Sequence, residues 1–191
     1  RVGGDWHLYS ADGVLMAVQR QGCLYFEQAH WPFLDSDEQE FNDLATPLSR
    51  VMWSAVGTPP APLSYDAAGL AQLTAGAKAL RAHTDRAILG LFGGNLLEIG
   101  QFLFRIDNML AMLAAEPRRA HRFLDKLVEI HLANLEKFLG AVGPYIDVIL
   151  FGDDLGMQTG PQISPHMYRE FFKPRHALMW QRAKQLADVK V

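Results

Sequence analysis

The chain has 191 residues, of which 49% are hydrophobic and 20% charged, with a formal net charge of −3. That is ordinary globular composition with enough chain for one core, and the lack of a dense Lys/Arg run argues against nucleic acid as a partner. No apolar run approaches the roughly 20 residues of a membrane span. The opening Arg1-Val2-Gly3-Gly4-Asp5-Trp6 has no apolar signal-peptide core. The single cysteine, Cys23, cannot close an intrachain disulfide, so a reducing, cytoplasmic setting is expected.

Residues 1–34 read as β-hairpins. Trp6–Ser10 and Val14–Val18 flank the tight-turn pair Asp12-Gly13, and Gln21-Gly22 turns the chain into a further strand at Cys23–Phe26. Residues 35–85 read as a helical lead-in. Asp35-Ser36-Asp37-Glu38 can cap a short helix. Residues 57–63 (Gly57-Thr58-Pro59-Pro60-Ala61-Pro62-Leu63) form a stiff linker. Leu70, Leu73, Ala77 and Leu80 then share one helical face, with Ser64 or Asp66 as the cap.

Residues 86–191 alternate strand and helix. Ala87–Phe92 is an apolar strand ending at Gly93-Gly94-Asn95. Leu96, Ile99, Leu103, Ile106, Leu110 and Leu113 predict one helix of about five turns. A second begins at Pro117 and carries His131 on its apolar face, with Gly140 and Gly143-Pro144 ending it. Ile146–Phe151 is the clearest strand and stops at Gly152-Asp153-Asp154. Ser164-Pro165 opens a helical segment that Pro174 should divide in two, and Asp188–Val191 looks like a strand beginning. Such alternation predicts parallel pairing with right-handed crossovers. The fold class expected is α/β, of the (β/α)₈ barrel type. A closed barrel typically needs about 250 residues, so residues 1–191 are expected to form a single incomplete barrel domain.

In parallel α/β folds ligands sit at the carboxyl ends of the strands. The Asp153-Asp154 pair is the stronger candidate. One acid can face a pocket while the other accepts backbone N–H bonds, and a tuned carboxylate can serve as acid or base. Turn chemistry alone would also explain two aspartates there. The following loop, with Gly156 and Gln158, offers close approach and amide hydrogen bonds. Gly93-Gly94-Asn95 could admit a ligand to the backbone or serve only a turn of positive φ. It lacks the pattern of a nucleotide loop. No two histidines have the spacing of a helical metal pair and none stands beside Cys23, so no metal site is expected within the chain. Cys23 and His131 read as buried structural residues.

The run Asp147–Pro165, followed by Tyr168-Arg169-Glu170-Phe171 and Pro174, resembles the uroporphyrinogen decarboxylase superfamily, as does Gly90-Leu91-Phe92-Gly93-Gly94-Asn95. The likeness covers roughly residues 86–191 and the hairpins only loosely. It implies a (β/α)₈ barrel enzyme, either a cofactor-free decarboxylase of tetrapyrroles in porphyrin biosynthesis or a methyltransferase. The methyltransferase branch moves methyl groups between methylated corrinoid proteins and thiols or tetrahydrofolate. The chain departs from the decarboxylases in three ways: their arginine-rich N-terminal motif is absent, Gln101 stands where they carry tyrosine, and Asp153-Asp154 replaces their Asp-Ser, an acidic pair that looks more like the methyltransferase branch. The resemblance implies Asp153 and Asp154 as catalytic residues, with Phe92, Gly93, Gly94, Asn95, Gly156 and Gln158 lining the substrate. Many methyltransferase members hold zinc through a His-x-Cys and a later Cys, which would fall beyond Val191. Partners implied are a tetrapyrrole or corrinoid small molecule, a corrinoid protein and a second copy of the chain. A different reading is an inactive fragment or a non-catalytic binding domain.

Overall fold

The computed structural model describes residues 2–51 and 65–191. The proline-rich linker and the cap candidate Ser64 lie outside them. The architecture is mixed α/β, with small sheets of three, two and two strands, and among the described residues none closes into a barrel. No helix of the described residues is long and apolar enough to cross a membrane. Two compact units form: Arg1–Ser54 with Glu98–Phe123, and Ala55–Leu97 with Leu124–Val191.

In the first unit, strands β1 (Trp6–Tyr9), β2 (Leu15–Gln19) and β3 (Glu27–Gln28) make an antiparallel sheet in that order. The β1–β2 turn is closed by Ser10, whose backbone amide donates to the Val14 carbonyl at 2.9 Å and whose Oγ accepts from the Val14 amide at 2.9 Å. The strand expected at Cys23–Phe26 is displaced to Glu27–Gln28, where Ala17 and Val18 supply the partner backbone. No helix forms at Asp35–Glu38. The Glu38 carboxylate instead accepts from the Glu40 and Phe41 amides, and the short helix α1 spans Ala45–Ser49.

The long helix expected from Leu96 to Leu113 is two helices, α3 (Leu97–Phe104) and α4 (Ile106–Ala115). Arg105 separates them with φ of 73°, a conformation rare for a residue with a side chain. Its amide still closes α3 on Gln101, and its carbonyl accepts the Met109 amide that opens α4. The guanidinium grips Asp107 at 2.5 and 2.6 Å, holding that carboxyl down to about 2. Phe33, Phe41, Phe104 and Phe123 pack tilted and edge-to-face at 5.0–6.0 Å to make this unit's aromatic core.

In the second unit, α2 (Ala67–His83) begins at Asp66, whose carboxylate accepts the Gly69 amide. Leu70, Leu73 and Ala77 pack on the core while Leu80 is exposed. Strands β4 (Leu89–Gly93) and β5 (Val148–Phe151) pair in parallel, Gly90 opposite Ile149 and Leu91 opposite Leu150. Helix α5 (Pro117–Val142) sends Leu135, Phe138, Leu139 and Val142 onto one face of the pair, against Ile88, Phe92 and Ile149. Each such side chain contributes roughly 2 kcal/mol when fully buried. The other face leaves Leu89, Leu91 and Leu150 exposed. Lys190 bridges Val148 in parallel, donating to the Asp147 carbonyl and accepting from the Ile149 amide, so the strand onset expected at Asp188–Val191 is present as one bridge.

The segment after Ser164 is not cut at Pro174. Helix α6 (Pro165–Met167), capped by the Ser164 hydroxyl, runs into a π turn over Tyr168–Phe172 and on into α7 (Lys173–Leu186). A proline has no N–H to close a regular turn. The π turn absorbs that defect, and the Arg175 side chain donates to the Phe171 carbonyl at 2.5 Å.

Candidate active site at the carboxyl ends of β4 and β5

β4 ends in two residues of positive φ, Gly93 at 87° and Gly94 at 69°, which only glycine adopts without strain. A Cβ on Gly94 would also sit 3.0–3.3 Å from the Phe92 and Phe151 rings. This turn carries Asn95 across the end of β5. The Gly152 amide donates to the Gly93 carbonyl at 2.8 Å, and a Cβ on Gly152 would stand 2.9 Å from Asn95 Oδ1. The two strand ends singled out in the sequence therefore meet backbone to backbone.

The paired acids separate. Ile149 and Phe151 point toward the helices, and Asp153 keeps their parity. Its side chain is only 4% exposed. Its Oδ2 accepts the Leu97 amide at 3.1 Å, at the first residue of α3, and lies 3.3 Å from His176 Nε2. Asp154 faces solvent. Its Oδ1 accepts the Gly156 amide at 3.3 Å, and its carbonyl accepts from Gln162 Nε2 at 2.9 Å. Gly156 belongs to a two-residue hairpin, β6 (Gly156–Met157) and β7 (Gly160–Pro161), with Gln158 exposed at its tip. Phe92 is turned away from the mouth, its ring packed against Phe138, Phe151 and His131.

Three residues complete the cluster without having been picked out for it. His176 in α7 is 5% exposed and stacks on Trp180 at 5.6 Å and 12°. Tyr168 places its hydroxyl 3.5 Å from His176 Nδ1. His131 donates from Nε2 to the Asn95 carbonyl at 3.0 Å, leaving Nδ1 as a buried acceptor. Burial pushes the His131 pKa down to about 4, against smaller opposing effects of the Asn95 carbonyl and the Asp153 charge. The ring is therefore neutral at pH 7. The signal for His176 was its register: Phe172, His176, Met179 and Ala183 repeat at 4-3-4 along one buried face.

A hollow of about 610 Å³ lies at the opposite, amino end of β5, lined by Arg81, Gly140, Gly143, Asp147 and Asp188 among others. Arg81 and Asp147 already pair with each other there. Among the described residues there is no group of three His, Cys, Asp or Glu side chains that could hold a metal ion. The arrangement that remains is an exposed carboxylate on a glycine-rich rim, backed by a buried carboxylate–imidazole pair. Such a rim can bind N–H-bearing or cationic groups and can take or give a proton. Compared with known proteins, the chain matches no family model, no curated protein and no solved structure.

Proposed function

We propose that the chain belongs to a (β/α)₈ barrel enzyme of the uroporphyrinogen decarboxylase superfamily and acts in methyl transfer to or from a corrinoid. The observation that carries the reading is the meeting of Gly93–Asn95 with Gly152–Asp154 at the carboxyl ends of two parallel strands, where that fold keeps its chemistry. The exposed Leu89, Leu91 and Leu150 support it, since inward-facing positions of a barrel strand are apolar and need covering.

In this reading Asp154 meets the substrate and Asp153 fixes the turn from beneath. A thiol acceptor loses its proton to the Asp154 carboxylate as sulfur takes the methyl carbon. The carbon–cobalt bond breaks with its electron pair left on cobalt. No step is routed through zinc. The test is to incubate the protein with methylcob(III)alamin and a thiol and follow loss of the methylcorrinoid spectrum. Turnover is expected, and Asp154→Asn should lower it by about 10²-fold, as for loss of a general base. Absence of turnover, with carbon dioxide released from uroporphyrinogen in the same preparation, would move the protein to the decarboxylase branch.

A further inference from the structure

We propose that His176 is a positioning residue, holding the Asp153 carboxylate against the Leu97 amide and so fixing the turn that presents Asp154. The consequence for Asp154 rests on the methyl-transfer reading; the hold on Asp153 does not.

A carboxylate 4% exposed to solvent has lost most of its hydration. Buried carboxylates are kept in place by the donors and rings set around them. Two histidines face Asp153. His131, from α5, is engaged with the Asn95 carbonyl and is held neutral by burial. His176, from α7, puts Nε2 at 3.3 Å from Oδ2. That approach lies off the hydrogen-bond direction, so Nε2 sits beside the carboxylate without an aligned bond.

The ring is fixed from its other sides. Trp180 stacks on it, Phe172 lies at 6.4 Å, and the Tyr168 hydroxyl sits at Nδ1. A tyrosine hydroxyl donating to Nδ1 places the neutral ring's proton on Nε2, the nitrogen that faces the carboxylate. Arg175, its neighbour in the chain, pairs with Asp125 at 2.5 Å. Among the groups facing the His176–Asp153 pair are Tyr168 from the π turn, His131 from α5 and the Leu97 amide.

The test is nitrogen-15 NMR of the histidine rings, with amide hydrogen exchange, on the full chain. In the wild type His176 should carry a proton on Nε2 at neutral pH. In His176→Phe the Leu97 amide should exchange at least about tenfold faster, one factor of ten being 1.4 kcal/mol, while the Gly152 and Ile149 amides keep their rates. A bare Nε2 in the wild type overturns the proposal without any variant. So does an unchanged Leu97 rate in His176→Phe. None of these readouts uses a corrinoid, so failure of methyl transfer alone removes the function and leaves the positioning role to be decided by the ring.

Discussion

The two ends of β5 are built from the same parts and do different things. At the amino end, Asp147 Oδ2 accepts the Ile88 amide at 2.7 Å and pairs with Arg81. At the carboxyl end, Asp153 Oδ2 accepts the Leu97 amide at 3.1 Å and pairs with His176. The first pair is open to solvent, with side chains 46% and 32% exposed, and its cation is permanent. The Ile88 amide and then Arg81 hold the Asp147 carboxyl below the usual range. The second pair is buried, and the partner of its carboxylate is a histidine ring. A surface pair of a permanent cation serves as a staple. A buried pair with a histidine costs more to assemble, because both groups lose their hydration.

The sharpest way to break this comparison is to remove each acid in turn. Asp153→Ala leaves the Leu97 amide without its acceptor and His176 without its neighbour, and should cost about 3 kcal/mol in urea unfolding. A cost near zero would mean that the carboxyl end is as dispensable as the surface. Asp154→Asn should change stability by less than about 0.5 kcal/mol, since it alters only an exposed side chain, while removing most methyl transfer. The reverse ranking, with Asp153→Asn inactive and Asp154→Asn active, would exchange their roles.

Acid sharpens the comparison from a second side. His131 takes its proton near pH 6.5 when unfolded and only near pH 4 when folded. The unfolded chain therefore binds more protons between these values. Stability is complete above pH 6.5 and falls as pH drops through the window, by roughly 2 kcal/mol at pH 5. In His131→Leu that part of the acid limb should vanish from a plot of unfolding free energy against pH. A limb of unchanged slope would show that His131 is not buried neutral. The smallest effect is expected at the staple. Arg81→Gln should shift the urea midpoint only slightly, and the shift should shrink in 1 M salt, whereas the Asp153→Ala cost should persist there.

Much of the second unit was legible from residue order. Short apolar runs bounded by Gly93-Gly94 and Gly152 gave β4 and β5, and the intervening helices required parallel pairing. Asp66 and Ser164 announced their helices because a side-chain oxygen before a helical run has few other uses. What stayed hidden was decided by contacts remote in sequence. The break at Arg105 leaves the apolar spacing intact, and its positive φ sits on a residue that normally avoids it. The π turn before Pro174 depends on Arg175 reaching the Phe171 carbonyl. Asp153 and Asp154 look interchangeable as a pair. Carrying the alternation of Ile149 and Phe151 two residues further tells which one turns inward, and the register of His176 marks it as buried, but nothing in the sequence says that it is buried beside Asp153.

The most direct measurement is carboxyl labelling of the folded protein with a carbodiimide and an amine, read residue by residue by mass spectrometry. Asp154 should label at a rate near that of the exposed Asp37, Asp153 should resist, and methylcob(III)alamin should slow Asp154 while leaving Asp37 alone. Equal labelling of Asp153 and Asp154, or an Asp154 rate indifferent to the corrinoid, would contradict an outward acid at a ligand-binding strand end.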